Sequence, residues 1–448
     1  MRTIIVSLLS ILWVSIMCLP LAAAQNQITF WTTEVEKDRL EIQKKIAHAF
    51  TNKSGISVRV VPVEENLLPE RVTAAYAARS LPDVIFHPID FTIGWMESGI
   101  LDAQSATEVI NHLGKETFGA GPINLSRVKD GYAAVPADGW GQLLLFRKDL
   151  FKEKGLPEPD TWDHILKAAQ ALHNPPLIWG FEAATDPGHT YTQQIFEHFA
   201  LSNGVRLTGP SGNVNLDTPE MVETLEFYKD LASFTPLGNL YWLHTRLDYL
   251  CGRAAMIIWS PFILDELSGL RRDQPVIPDI IKGEPGFLAR NTGFVTIIRG
   301  KRGAAQYGQM NFLGITRDAN KAAAKKWVEF LLTDGYLRWL GMAAEGKLPV
   351  RKGTRDKPNR FVDGWMGLEF GVTTKAKISQ FFEMEIVKTI IAGVDGFDRW
   401  GFAKGKGALI SKIYGTKVIP EILKKFLDGE LNARQSARMM DERVKALE

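Results

Sequence analysis

Cysteine is almost missing from this sequence: among 448 residues only Cys18 and Cys251 occur. With Cys18 inside an N-terminal leader, Cys251 is left alone, which excludes an internal disulfide and leaves stability to core packing. Excess charge is missing too. The 53 Lys and Arg balance 51 Asp and Glu, and no basic block is interleaved with aromatics, so nucleic acid is excluded as a partner. Beyond the leader, every apolar run is broken by charge within about ten residues, whereas a membrane-spanning helix needs roughly 20. The eight His are scattered. There is no H-E-x-x-H and no Cys/His cluster, so neither a metal nor another cofactor is expected. No G-x-S-x-G elbow occurs, and Gly209-Pro210-Ser211-Gly212 reads as a turn. A secreted glycosidase would need two carboxylates about 5–9.5 Å apart. Acids are plentiful but stand in no catalytic motif, and the expectation is a protein that is not an enzyme.

The N-terminus is the opposite of featureless. Arg2 is the only charge in Met1–Ala24, an apolar run follows from Ile4 to Leu19, and Leu21-Ala22-Ala23-Ala24 offers small residues for cleavage. That is the pattern of a secretory signal peptide over residues 1–24, cut before Gln25. Roughly 420 residues then remain, too many for one core, so two lobes are expected.

The mature chain opens with alternating strand and helix patterns. Ile28 and Phe30 alternate with Thr29 and Trp31, a period of two. Ile42, Ile46 and Phe50 form one helical stripe within Glu36–Phe50, closed by Asn52-Lys53-Ser54-Gly55. Strand patterns recur at Ile56–Val63 and at Pro82–Phe86, with a helical pattern between them. This succession predicts an α/β fold with a mostly parallel sheet covered by helices. Ligands of such sheets sit beyond the carboxyl ends of the strands, which singles out Thr32–Glu34 and His87–Phe91. Two further strand patterns, Tyr132–Pro136 and Gln142–Phe146, abut through Ala137-Asp138-Gly139-Trp140 with no helix between them, as where a chain crosses between lobes. Thr161 and Thr218 are predicted helix N-caps, the second followed by Pro219 at the first helical position.

The order of these motifs resembles the extracellular solute-binding protein family 1, the maltose-binding-protein-like components of ABC importers. Ile28-Thr29-Phe30-Trp31, Gly55-Ile56-Ser57-Val58, Leu81-Pro82-Asp83-Val84 and Gly99-Ile100-Leu101 carry it in the first third. Asp130–Pro136 and the block from Leu144 through Gly155-Leu156-Pro157 to Thr161-Trp162-Asp163 continue it. Gly252-Arg253-Ala254-Ala255-Met256 and Gly346–Arg351 complete it. The resemblance implies a two-lobed periplasmic-binding-protein fold with a hinge and an interlobe ligand cleft. One lobe would comprise residues 25–137 plus 293–333, the other 138–292 plus 334–448. It implies a monomer in the periplasm that captures a sugar or polyol and delivers it to membrane permease subunits. A charged solute, such as a sugar phosphate, a sulfonate or a polyamine, is the alternative on the same fold.

Sugar recognition needs planar polar groups for paired hydroxyls and flat aromatics for ring faces. Glu34, Asp90, Asp138 and Trp259 fall both at strand ends and at positions the family uses for ligand. Each has a structural alternative: Glu34 near a helix N-terminus, Asp90 as a helix cap, Asp138 as a turn former, Trp259 as core, with Phe262 competing for the platform. Trp140, Trp242, His87 and Arg351 extend the set. Gln309 and Asn311 stand where many relatives carry paired glycines, so their amides are a departure from the family pattern.

Overall fold

The computed structural model describes residues 26–271, 286–402 and 406–448; the expected signal peptide lies outside them. Two sheets organise the chain. The larger has seven strands: β1 (Gln27–Thr32), β2 (Ser57–Pro62), β3 (Val84–Pro88), β4 (Val135–Gly141) and, far later, three more. The smaller joins β5 (Leu143–Arg147) to β6 (Met256–Trp259) and β7 (Thr292–Val295), with β5 in the middle. β8 (Ile298–Arg299), β9 (Ala304–Ile315) and β10 (Phe397–Asp398) complete the larger sheet. The chain therefore leaves the large sheet at Gln142 and returns to it after Val295.

β1 pairs in parallel with β2 and β3, as the strand–helix alternation predicts. Of the remaining pairings only that of β9 with β10 is parallel. The 12-residue β9 runs antiparallel to β3 and to β4, and the small sheet is antiparallel throughout. The sheet is mixed because β9 re-enters from the other sheet and not from a crossover helix.

Local signals explain the element ends. Gly55 closes the helix Lys37–Ser54 with φ 73°, a left-handed cap that costs glycine nothing. Thr161 accepts from the His164 N–H at 3.2 Å and Thr218 from that of Met221 at 3.2 Å, so both expected N-caps form. One boundary moves: the strand pattern expected to end at Pro136 runs on through Ala137-Asp138-Gly139-Trp140 to Gly141, because Gly308–Leu313 of β9 offers it a partner strand, so Asp138 is not a turn former. A Cβ at Gly139 would stand 2.6 Å from the Gln309 carbonyl oxygen, so glycine permits that close approach. The core beneath the large sheet is aromatic: Phe30 and Phe86 pack against Trp339, and Phe30 and Phe50 against Trp327. Among the described residues no helix is long and apolar enough to cross a membrane, and no group of three or more His, Cys, Asp or Glu could hold a metal ion.

Candidate functional site

A pocket of about 360 Å³ opens beside the junction of the two sheets. Its walls are aromatic: Trp140, Tyr191, Trp242, Trp259 and Phe262. Trp140 projects from the penultimate position of β4, Trp259 ends β6, and Trp242 opens the helix Trp242–Leu250. The Trp242 and Trp259 rings lie 5.8 Å apart at 31°, and Tyr191 meets Trp259 edge-on at 5.5 Å. All three Trp are half-buried, the state of an aromatic with one face packed and one free. Polar groups complete the lining. Gln142, Gln194, Ser260 and His189 are neutral; Arg246, Glu266 and Arg271 are charged. Arg246 donates to Glu266 at 2.9 Å while its guanidinium lies 4.9 Å over the Trp242 ring. Arg271 approaches the same carboxylate at 3.8 Å.

The structure thus unites three of the ten sequence candidates, Trp140, Trp242 and Trp259, and adds Phe262. Four others form a polar row next to them. The β4–β9 register opposes Trp140 to Gln309 and Asp138 to Asn311. Directly opposed residues project to the same side, and positions two apart share a face, so all four occupy one face of the sheet. Gln309 donates to Asp90 at 2.9 Å, and Asn311 to Asp138 at 2.8 Å. Asp90 lies in the first turn of the helix Ile89–Glu97, whose cap position is Pro88, so it does not cap that helix.

These carboxylates are held by cations that the sequence reading missed. Lys347, only 2 % exposed, reaches Glu34 at 2.5 Å and Asp138 at 3.1 Å. Asp138 also accepts from the Trp339 indole at 2.7 Å, and Glu34 from Arg39 at 2.7 Å. Burial pushes the Glu34 carboxyl up, but Lys347 and Arg39 outweigh it and hold it below the usual value. Burial likewise pushes Lys347 down, and the Asp138 and Glu34 carboxylates reverse that to a net rise. At the other end of the row, fully buried Arg399 donates to Glu197 at 3.1 Å and reaches Asp90 at 3.4 Å. Burial pushes the Glu197 carboxyl up. Its donors, Arg399, the Trp400 N–H and the Tyr414 hydroxyl, are nevertheless those an ionised carboxylate requires, and we take it as the anion.

Two candidates lie away from the pocket. His87 is fully buried under Trp95 and Phe312, its Nδ1 3.0 Å from the Pro88 carbonyl oxygen, and burial lowers its pKa to about 4. Arg351 spends its guanidinium on Thr117 and on the carbonyl oxygens of Leu332 and Leu113, at 2.6–3.2 Å. Both are internal fasteners here. Lys347 sits inside the Gly346–Arg351 motif, and Arg399 beside Trp400 in a stretch without motif. Neither position carries a sequence sign of the acids it would meet.

The comparisons agree with this architecture. The model of the bacterial extracellular solute-binding protein family matches residues 34–337. The periplasmic-binding protein YcjN of an ABC transporter in Escherichia coli (strain K12) is 29% identical over 399 residues, covering 87% of this chain and 88% of that protein. Among solved structures, maltose-bound MalE3 of T. maritima superposes with a TM-score of 0.69 at 22% identity, over 94% of this chain and 100% of that one. A solute-binding protein from Agrobacterium vitis S4 with bound D-mannitol gives 0.61 at 19% identity, over 94% and 97%. At such identities the structures speak for the fold, which is the mixed α/β periplasmic-binding-protein fold. The family match spans well over half of the chain: this protein belongs to the bacterial extracellular solute-binding proteins and is the solute-binding component of an ABC transporter.

Proposed function

We propose that the chain captures a neutral sugar or polyol in the tryptophan-lined pocket and delivers it to the permease subunits of an ABC importer. It would act as a periplasmic monomer after cleavage near Ala24. The observation that carries this reading is the convergence of Trp140, Trp242 and Trp259 on one cavity of about 360 Å³. Aromatic faces match the C–H-rich faces of sugar rings, and the amides, hydroxyl and imidazole between them can bond hydroxyl groups. The volume lies at the small end of ligand pockets, which run from about 300 to 1,000 Å³, and favours a solute of one or two rings. The two sheets supply the two lobes, with the chain crossing at about Gln142 and returning after Val295, instead of at 137 and 293, and with residues beyond 333 adding Trp339 and β10 to the large-sheet side. Closure is favoured when one solute touches both, since only differential contacts shift populations. Asp90, Gln309 and Asn311 would then meet the solute from the large sheet, and Trp242 and Trp259 from the small one. MalE3 carries maltose and the Agrobacterium vitis protein D-mannitol, and the same class of solute suits this pocket.

Arg246 and Arg271 favour one second reading, an anionic sugar. Glu266 contacts both and cancels one of their charges, so the neutral solute is preferred. A thermal-shift screen of mono- and disaccharides, polyols and sugar acids decides between them. Neutral members should raise the melting temperature, and Trp259→Ala should weaken the best of them at least about tenfold, the cost of a lost ring face of roughly 1.4 kcal/mol or more. Stabilisation by the acids alone selects the second reading, and no shift with any member removes both.

A further inference from the structure

Gln142 borders the pocket at the point where the chain leaves the large sheet, and its backbone groups are already spent. Its N–H donates to the Tyr307 carbonyl oxygen at 2.9 Å, and its carbonyl oxygen accepts from Gln306 Nε2 at 2.8 Å. What the residue offers a solute is therefore decided by its side-chain amide. The Oε1 position of that amide lies 3.0 Å from His198 Nδ1. The other end has no hydrogen-bond partner among the described residues, yet it is not one of their enclosed unpartnered atoms, so it opens toward the pocket.

His198 decides which end of the amide faces out. The ring is fully buried, and burial lowers its pKa to about 4, so near neutral pH it carries a single N–H. Its Nε2 lies 3.2 Å from the Ala305 carbonyl oxygen. That oxygen belongs to β9 and only accepts; no rotation turns a donor toward the ring. Nε2 therefore holds the proton, and Nδ1 is a bare acceptor. A bare Nδ1 at 3.0 Å needs a donor. The amide supplies one by a half-turn about χ3, which exchanges its oxygen and its NH2 in nearly the same space. Gln142 Nε2 then donates to His198 Nδ1, both ring nitrogens are satisfied, and Oε1 takes the pocket end. The opposite tautomer, with Nδ1–H toward Gln142, sets the Nε2 lone pair against the Ala305 oxygen.

We propose that His198 turns Gln142 to present a hydrogen-bond acceptor to the pocket, which makes Gln142 a specificity-determining residue and His198 its positioning residue. This rests on the pocket being the solute site and deepens that reading by assigning an atom type to one position of the ligand. The solute carries a donor there, a hydroxyl of a sugar or polyol. A carboxylate, phosphate or ring oxygen at that point meets a lone pair and is rejected.

The amide is testable before any solute is known. In protein carrying ¹⁵N-histidine, long-range ¹H–¹⁵N correlation separates the two ring nitrogens, with the His198 signals assigned by their loss in His198→Gln. The expected result near pH 7 is Nε2 protonated and Nδ1 bare. Nδ1 protonated, alone or together with Nε2, overturns the proposal. Titration with maltose and with D-mannitol reads the second half. Gln142→Met removes the acceptor and should weaken whichever binds at least fivefold. Gln142→Glu restores an acceptor in the same place and should recover most of that loss. Unchanged affinity in Gln142→Met overturns the proposal, as does an equal loss in both variants, which would mean that the solute used the amide N–H. Failure of both sugars to bind the wild-type protein counts against the pocket reading, while the tautomer still decides how the amide is turned.

Discussion

Lys347 is the residue on which the polar face of the large sheet depends. Its ammonium is buried between Glu34 and Asp138 and lies 4.9 Å over the Phe86 ring and 5.0 Å over that of Trp339. Removing one member of a buried charge cluster leaves the others without compensation, at a cost of about 3–5 kcal/mol. Lys347→Met, which keeps the chain length, should therefore lower the urea midpoint strongly. Adding Glu34→Gln and Asp138→Asn should restore much of the loss, because the cost lies in the orphaned carboxylates. A single variant with the wild-type midpoint would show that the cluster is solvated. This residue also marks what the sequence could disclose. Glu34, Asp90, Asp138 and Trp259 were legible at strand ends, and Trp140 and Trp242 as aromatics near polar turns. Whether an acid faces a solute or a lysine more than 200 positions away depends on packing that no local pattern encodes. Arg246 and Arg399 stayed invisible for the same reason.

At the scale of elements the sequence was more open. Strand periodicity found β1, β2 and β3, and the threonine caps found two helix starts, because these signals are local and nothing in the fold opposes them. Tertiary pairing extended β4 beyond the local signal, which ended the strand at Pro136 and left a turn open for Asp138, because β9 lay alongside. A second glycine governs the pocket wall. A Cβ at Gly346 would stand 2.0 Å from the Phe262 ring, and Phe262 belongs to the short turn Pro261–Ile263 at the pocket edge. Gly346→Ala must push that ring aside, at a strain of about 1–3 kcal/mol. Stability should fall by that amount in urea unfolding. Affinity for the best solute of the screen should fall about tenfold, because the displaced ring intrudes on the site. Loss of stability with intact affinity would place Phe262 outside the ligand envelope.

For the whole molecule, buried groups of opposite kinds set the dependence of stability on pH. His87 and His198 are fully buried, and burial lowers each pKa to about 4. The unfolded chain binds their protons between about pH 6.5 and 4 and the native state does not, so these two groups make stability fall as pH drops through that window. Glu182 and Asp265 act the other way. Burial, with Asp248 beside the first, pushes Glu182 up to about 10; burial, with Glu345 and Glu266, pushes Asp265 up to about 8. These acids stay protonated in the native state while the unfolded chain ionises them above about pH 4.5, so they make stability fall as pH rises. Each group contributes a slope on the order of 1.4 kcal/mol per pH unit in its window. Between about pH 4.5 and 6.5 the two pairs oppose and nearly cancel; above 6.5 only the acids act. The protein should therefore be most stable in mildly acidic solution and lose stability from pH 6.5 to 8. Urea midpoints across pH 5–8 measure this, and Glu182→Gln with Asp265→Asn should flatten the decline. A midpoint that rises toward pH 8 would mean that water or an unseen cation reaches these carboxyls in solution.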